Sequence, residues 1–156
     1  MKRLRELILF GLLVLLASGC GSKRSAPSES SDPKVGEYYA FNASAHGYKV
    51  LKVLDVQPDL IHVCYYNNIF KERPGKADMQ SLYFAPYNST VGAYVDGDKS
   101  QTRMGRKHVP LTKENWKHWN AELIDTGTVT ADELAEYEIW KKGEKKVAPG
   151  LWTPNQ

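Results

Sequence analysis

The sequence predicts an α+β domain, in which a small antiparallel β-sheet is followed by two short helices. Two observations carry this prediction. Residues 35–95 contain five short runs that are rich in β-branched and aromatic side chains and are separated by turn residues. After residue 107 the spacing of the apolar side chains changes to the period of helices.

A β-hairpin formed by residues 48–56 and 60–66 is the strongest strand signal in the chain. Both runs are rich in β-branched and aromatic residues, and Pro58-Asp59 between them supplies the turn. Lys52 falls among the apolar positions of the first run. An inward-pointing charge is typical of an edge, so the pattern places Lys52 near an edge of the sheet.

Three weaker strands complete the predicted sheet, and a loop follows them. Residues 35–43 form an aromatic run, and residues 80–84 and 91–95 are two further short strands. Pro86 follows the first of these, and Asp96-Gly97 gives a turn signal after the second. Residues 98–107 are mostly polar or charged, which predicts a loop.

Two helices are indicated by their capping residues. Thr112 is a suitable N-cap for a short helix that ends near Trp119. The segment 130–133, Thr-Ala-Asp-Glu, has the form of a capping box. The helix that it begins places Leu134, Tyr137 and Trp140 on one face and ends near Gly143.

The strand section resembles an SH3-like or Tudor-like barrel in its pattern. Gly36 precedes the first aromatic strand, and the long hairpin at residues 48–66 follows it. This resemblance implies that the predicted strands bend strongly and close into a small barrel, as an alternative to an open sheet.

The N-terminus carries a basic start, an uncharged apolar run over residues 7–17, and then Ala17-Ser18-Gly19-Cys20. The run is too short to cross a hydrocarbon core about 30 Å thick at ~1.5 Å per residue, and the pattern is typical of a signal peptide. The final four residues resemble the lipobox of bacterial lipoproteins. The resemblance implies that residues 1–19 are removed and that Cys20 carries fatty acyl chains such as palmitate.

The same resemblance implies a location in the bacterial cell envelope. Gly21 stands where an Asp retains many lipoproteins in the inner membrane of enteric-type bacteria. In a Gram-negative host the expected place is therefore the periplasmic face of the outer membrane. Cys20 and the Ser/Pro-rich residues up to 34 are predicted to form a lipidated, flexible tether, residues 35–143 one domain, and residues 144–156 a tail.

Charge and cysteine content bear on nucleic-acid binding and on disulfide formation. Residues 1–19 carry three basic side chains and one acidic side chain, so removing them lowers the formal net charge from +3 to +1. A chain of this charge gives no indication of nucleic-acid binding. With Cys20 acylated, Cys64 has no disulfide partner and is predicted to be a small buried hydrophobic residue.

No cofactor, metal or catalytic motif is recognisable. The histidines, His46, His62, His108 and His118, show no pair at i, i+4 and no acidic neighbour at metal-ligand spacing. We therefore interpret them as surface or structural residues, and the sequence predicts a protein that is not an enzyme.

Tyrosine is the remaining unusual feature. Adjacent residues of a strand point to opposite faces, so one ring of each pair Tyr38/Tyr39 and Tyr65/Tyr66 is expected to face outward, at least in part. Such an outward row would bind a peptide or glycan. The alternative is cross-strand packing that only stabilises the sheet.

The first functional hypothesis is a membrane-anchored binding or structural module, with membrane lipid as one partner and an envelope protein or peptidoglycan as another. An immunity or inhibitor lipoprotein that blocks one protein is a variant of it. The second hypothesis is an envelope hydrolase that uses scattered carboxylates with His108 or His118. A pocket in which histidines or carboxylates converge would favour the hydrolase.

Overall fold

One open antiparallel sheet organises the residues described by the computed structural model, which are 32–43, 46–90, 92–96 and 104–143. They belong to one compact unit, Ser31–Gln156. The strands, in chain order, are β1 (Glu37–Asn42), β2 (Tyr48–Val56), β3 (Leu60–Tyr65), β4 (Tyr87–Asn88), β5 (Ala93–Val95), β6 (Met104–Thr112) and β7 (Glu122–Thr126). They lie side by side in the order β4-β5-β6-β3-β2-β1-β7. Cys20, almost all of the tether and the tail lie outside the described residues.

The predicted hairpin is confirmed as β2 and β3, which pair antiparallel with Val53 opposite Val63. The aromatic run at residues 35–43 is confirmed as β1, and the run at 91–95 contains β5. The strand predicted at residues 80–84 is wrong. A 3-10 helix, Lys76–Ser81, occupies its beginning, and residues 82–86 follow without belonging to a strand.

The loop predicted over residues 98–107 is wrong at its C-terminal end, because Met104 begins the long strand β6. β6 pairs with β3, and its side chains Val109 and Leu111 are buried. β5 pairs only with Met104 and Gly105 of β6. Pro110 therefore lies where β6 has a strand partner on one side only, a position that tolerates proline in a sheet.

Strand β7 follows the first helix and was not predicted. It pairs with β1 and forms one edge of the sheet, while β4 forms the other. The order of strands then helices is therefore wrong in detail, because a strand lies between the two helices. The described strands form an open sheet, and the barrel alternative is not confirmed.

Both predicted helices are confirmed. In α1 (Lys113–His118), the Thr112 hydroxyl accepts a hydrogen bond from the backbone N–H of Asn115 at 3.1 Å. In α2 (Ala131–Lys141), Thr130 and Glu133 form the predicted capping box. Tyr137 is buried, and Leu134 and Trp140 pack beside it. Gly143, with φ of +75°, lies just beyond the end of α2.

The two faces of the sheet carry separate apolar cores. On the α1 face, side chains from β1, β2, β3 and β6 pack with Trp116 and Trp119. On the α2 face, Val50, Leu54 and Cys64 pack with Tyr137 and neighbouring rings. A sheet that is covered on both sides has no outward-facing row along its central strands, which bears directly on the predicted tyrosine surface.

Candidate functional site

A cleft of about 310 Å³ opens on the α2 face, between the first turn of α2, the middle of β6 and residues 82–85. We call it the aromatic cleft, because rings supply much of its wall. It is lined by Tyr66, Leu82, Tyr83, Phe84, Ala85, Tyr94, Lys107, Thr130, Asp132 and Glu133.

Asn67 positions one wall of the cleft. Its side-chain oxygen accepts a hydrogen bond from the Ala85 N–H at 2.9 Å, and its side-chain nitrogen donates to the Tyr94 carbonyl at 2.8 Å. A third bond joins the Asn67 N–H to the Tyr83 carbonyl. One buried amide thus holds the irregular segment at residues 82–85 against β5, with the rings of Phe84 and Tyr94 5.7 Å apart.

Lys107 places a cation against these two rings. Its Nζ atom lies 5.2 Å from the centroid of Phe84 and 5.3 Å from that of Tyr94. The same atom forms an ion pair with Asp132 on α2. The Lys107 side chain is 13% exposed and the Asp132 side chain 70% exposed, so the pair lies at the mouth of the cleft.

Glu133 lines the cleft, and its carboxylate is occupied by hydrogen bonds from within the protein. Its carboxylate accepts hydrogen bonds from Lys52 Nζ at 2.9 and 3.1 Å, from the Thr130 N–H at 2.7 Å and from the Tyr66 hydroxyl. Burial acts to raise the pKa of Glu133, but the bonds from Lys52 and Tyr66 outweigh it and lower this pKa. The carboxylate therefore stays ionised and has little capacity left to abstract a proton.

The position predicted for Lys52, near an edge, is wrong. Strand β2 lies between β1 and β3, and the Lys52 side chain is 0% exposed. Burial acts to lower the pKa of Lys52, but the hydrogen bond and charge of Glu133 raise it above its ordinary value. The charge is tolerated inside the sheet because a carboxylate of α2 reaches it.

The four tyrosines proposed as a binding surface do not form one exposed row. Tyr39 and Tyr65 are buried in the α1-face core, and Tyr66 is buried on the α2 face. Tyr38 is half-buried and stacks on Tyr66, with 6.4 Å between the ring centroids. The expectation of one outward ring in each pair is wrong for Tyr65 and Tyr66, because both faces are covered. Tyr66 alone of the four lines the cleft.

The sheet brings together two histidines that sequence spacing did not connect. His62 on β3 and His108 on β6 are both buried, and their Nδ1 and Nε2 atoms, respectively, are 2.9 Å apart. The rings of Tyr137 and Trp140 cover the pair, with centroids 4.8 and 4.7 Å from that of His62. Sequence spacing does not reveal this pair, because 46 residues separate the two histidines and β6, which carries His108, is not among the predicted strands.

This histidine pair lies apart from the cleft, since no histidine is among the described residues that line it. Burial lowers the pKa of His62, and the nearby charge of Asp55 opposes this in part. Asp55 itself accepts a hydrogen bond from the Tyr137 hydroxyl. His46 and His118 are exposed. The histidines are thus distributed as structural and surface residues, not as one converging group.

A reactive thiol, a metal site and a membrane-crossing helix remain to be considered among the described residues. Cys64 is buried as predicted, and burial raises the pKa of its thiol to about 12. Within the same residues, no three His, Cys, Asp or Glu side chains gather to hold a metal ion. Among the same residues, no helix has both the length and the apolar character needed to cross a bilayer.

Comparison with known proteins adds no relative: no family model, curated protein or solved structure matches the chain.

Proposed function

We propose that this chain is a bacterial lipoprotein, held to a membrane of the cell envelope through acylated Cys20, whose domain binds an envelope ligand in the aromatic cleft. The anchor is supported by the order of basic residues, apolar run and Ala17-Ser18-Gly19-Cys20. Two or more acyl chains give a stable membrane anchor, whereas one holds a protein only marginally.

The cleft is the observation that carries the binding role. Its volume of about 310 Å³ lies at the lower end of the range, roughly 300–1,000 Å³, that is usual for ligand sites. The rings of Phe84 and Tyr94 lie in its wall, the accessible lining is mostly polar, and Lys107 and Asp132 place charges at its mouth. Rings combined with a few fixed polar groups are the composition that selects one ligand chemistry.

The state of the two acidic residues supports binding over hydrolysis. Glu133 is occupied by Lys52, Tyr66 and Thr130, and Asp132 is paired with Lys107. A general acid needs a raised pKa, but that of Glu133 is lowered. An inhibitor that blocks one protein partner would be a particular case of the same binding role, and peptidoglycan is the other envelope partner to test.

Photo-crosslinking tests the cleft in the native envelope. A photoreactive amino acid replaces Tyr83, which is 41% exposed and lines the cleft. The matched control carries it at Glu114, an exposed residue of α1 away from the cleft. We expect a discrete adduct from position 83 and not from position 114. Equal labelling at both positions, or none at either, would overturn the proposed ligand site.

Membrane fractionation tests the anchor separately. The variant Cys20→Ala lacks the thiol that forms the thioether to lipid, so we expect it to be processed differently and released from the membrane fraction, while Cys64→Ala stays with the membrane. Mass spectrometry of the wild-type N-terminus should give an acylated residue 20. Retention of Cys20→Ala in the membrane fraction with the same processing as the wild type would contradict the anchor.

A further inference from the structure

The aromatic cleft already contains an ammonium group of the protein itself. Lys107 Nζ lies within about 6 Å of two ring centroids, the range over which a ring face attracts a cation. Asp132 supplies an opposite charge to the same nitrogen. Two rings and one carboxylate around a primary ammonium form a recognition site for alkylammonium groups, with Lys107 as the occupant.

Lys107 is held less firmly than the other lysine near the cleft. Lys52 is 0% exposed and donates to both oxygens of Glu133, so its removal would leave a buried charge. The carboxylate that binds Lys107 is instead 70% exposed. The Lys107 side chain itself is 13% exposed, so this pair is partly open to water and weaker than the buried Lys52–Glu133 pair. The Lys107 side chain also ends on a flexible four-carbon stem, which allows it to leave the rings without moving the backbone.

The charges around the cleft favour a cation over an anion. If Lys107 moves out, the remaining charged residues of the lining are Asp132 and Glu133. Glu133 is neutralised by Lys52, which leaves Asp132 as the uncompensated charge at the mouth. An incoming anion would face this carboxylate, whereas an incoming ammonium would pair with it.

We infer that the ligand of the aromatic cleft presents a primary alkylammonium group, of the lysine side-chain type, which displaces Lys107 from its place beside the rings of Phe84 and Tyr94 and pairs with Asp132. This inference rests on the proposed ligand site and adds the chemistry of the ligand. Lys107 then acts as a built-in competitor. It keeps the rings and the carboxylate satisfied in the free protein and lowers the affinity for amines.

Calorimetric titration of the full mature chain in detergent tests the inference, with Nα-acetyl-L-lysine amide as the probe. Lys107→Ala removes the competing ammonium, and we expect it to bind the probe at least about tenfold more tightly than the wild type, because the rings and Asp132 are then open to the probe. Lys107→Met removes the competing charge but still fills the space beside the rings, so it should gain less affinity than Lys107→Ala. Adding Asp132→Asn to Lys107→Ala should abolish the gain.

Two controls make the result specific. Lys76→Ala removes an exposed lysine that pairs with Asp125 outside the cleft, and it should bind the probe as the wild type does. The Nε-acetylated probe lacks the charge and should not bind Lys107→Ala. Equal binding of both probes, or no gain in Lys107→Ala over Lys107→Met, would overturn the inference.

A measurement on the wild type does not depend on how the variants fold. The methylene next to the Lys107 ammonium lies near two rings, so its NMR signals should be displaced by ring currents and should return towards exposed-lysine values as the probe is added. Unchanged signals at saturating probe would contradict displacement. A crosslink at position 83 without amine binding would refute this inference alone, whereas loss of the crosslink would refute the proposed ligand site.

Discussion

The Lys52–Glu133 pair shows how a single charge is accommodated in the middle of the sheet. Lys52 donates to both carboxylate oxygens and to the Thr128 carbonyl at 2.7 Å. Glu133 also closes the capping box of α2 through the Thr130 N–H. The same carboxylate thus caps the helix and neutralises a strand residue, so α2 is fixed to β2 by one side chain.

Removing either partner should be costly because the other remains buried and charged. We expect Glu133→Gln and Lys52→Met each to lower the free energy of unfolding by about 3–5 kcal/mol, measured by urea denaturation. The double variant should lose clearly less than the sum of the two, since no unpaired charge remains. Lys76→Ala, at the exposed pair with Asp125, should cost at most about 1 kcal/mol. Single-variant losses as small as this control would contradict a buried ion pair.

Residues such as Lys52 mark the limit of what the sequence could predict at this scale. Its partner is 81 residues away in the chain, and alternation alone cannot distinguish a paired interior lysine from a lysine at an edge. The aromatic cleft is likewise formed by residues that are far apart in the sequence. Phe84, Tyr94 and Lys107 come from separate segments. The predictions of a strand at Phe84 and of a loop at Lys107 are both wrong. By contrast, the burial of Cys64 followed from its own strand and was predicted.

Elements defined by neighbouring residues were predicted correctly. The hairpin at residues 48–66, the N-cap of α1 and the capping box of α2 depend on signals within a few positions. The sequence does not predict β6 and β7, because the first half of β6 is mostly polar and β7 contains only two apolar residues, Leu123 and Ile124. The first half of β6 is Met-Gly-Arg-Lys-His, whose long side chains serve the cleft and the histidine pair, and β7 is an edge strand with exposed Glu122. Tertiary partners, not local propensity, make these segments strands.

Gly36, just before β1, fixes the start of this strand between β2 and β7. The Gly36 N–H donates to the Val53 carbonyl, and the Gly36 carbonyl accepts from the Gly127 N–H. Gly36 has φ of +87°, and a Cβ atom there would lie 2.2 Å from the Gly127 carbonyl oxygen. Both the backbone conformation and the close approach exclude a side chain.

Gly36→Ala should therefore lower the free energy of unfolding by at least about 2 kcal/mol, because a strained backbone conformation and a steric clash add together. Thermal and urea unfolding measure this loss. Gly75→Ala is the matched control, since Gly75 has φ of −111° and no atom within 4 Å of the added Cβ. It should be neutral or slightly stabilising. Similar losses in both variants would refute the role of the Gly36–Gly127 contact.

Three polar features of the molecule share one face of the sheet. The Lys52–Glu133 pair, the histidine pair and the aromatic cleft all lie on the α2 face. The α+β class was predictable from the periodicities, but the choice between barrel and open sheet was not. Closure depends on which edge strands pair, and that information is not local.

The histidine pair makes the attachment of α2 sensitive to acid. The groups that face His62 are His108 on β6, Asp55 on β2, and Tyr137 and Trp140 on α2. Among the described residues, Nε2 of His62 is buried without a hydrogen-bond partner. A proton added there would therefore gain no acceptor, in keeping with the pKa of His62 being lowered from its ordinary value of 6.5.

Stability should consequently fall as the pH drops below about 6.5, because the unfolded chain then binds a proton at His62 that the folded chain excludes. The loss amounts to about 1.4 kcal/mol per pH unit between the unfolded and folded pKa values of one such group. Urea unfolding at pH 7.5 and pH 5.0 measures it. His62→Gln removes the titrating group and should flatten this dependence, whereas His118→Gln, at an exposed position of α1, should keep the wild-type difference. A wild-type difference that persists in His62→Gln would show that another group, and not the pair beneath Tyr137 and Trp140, controls the response to acid.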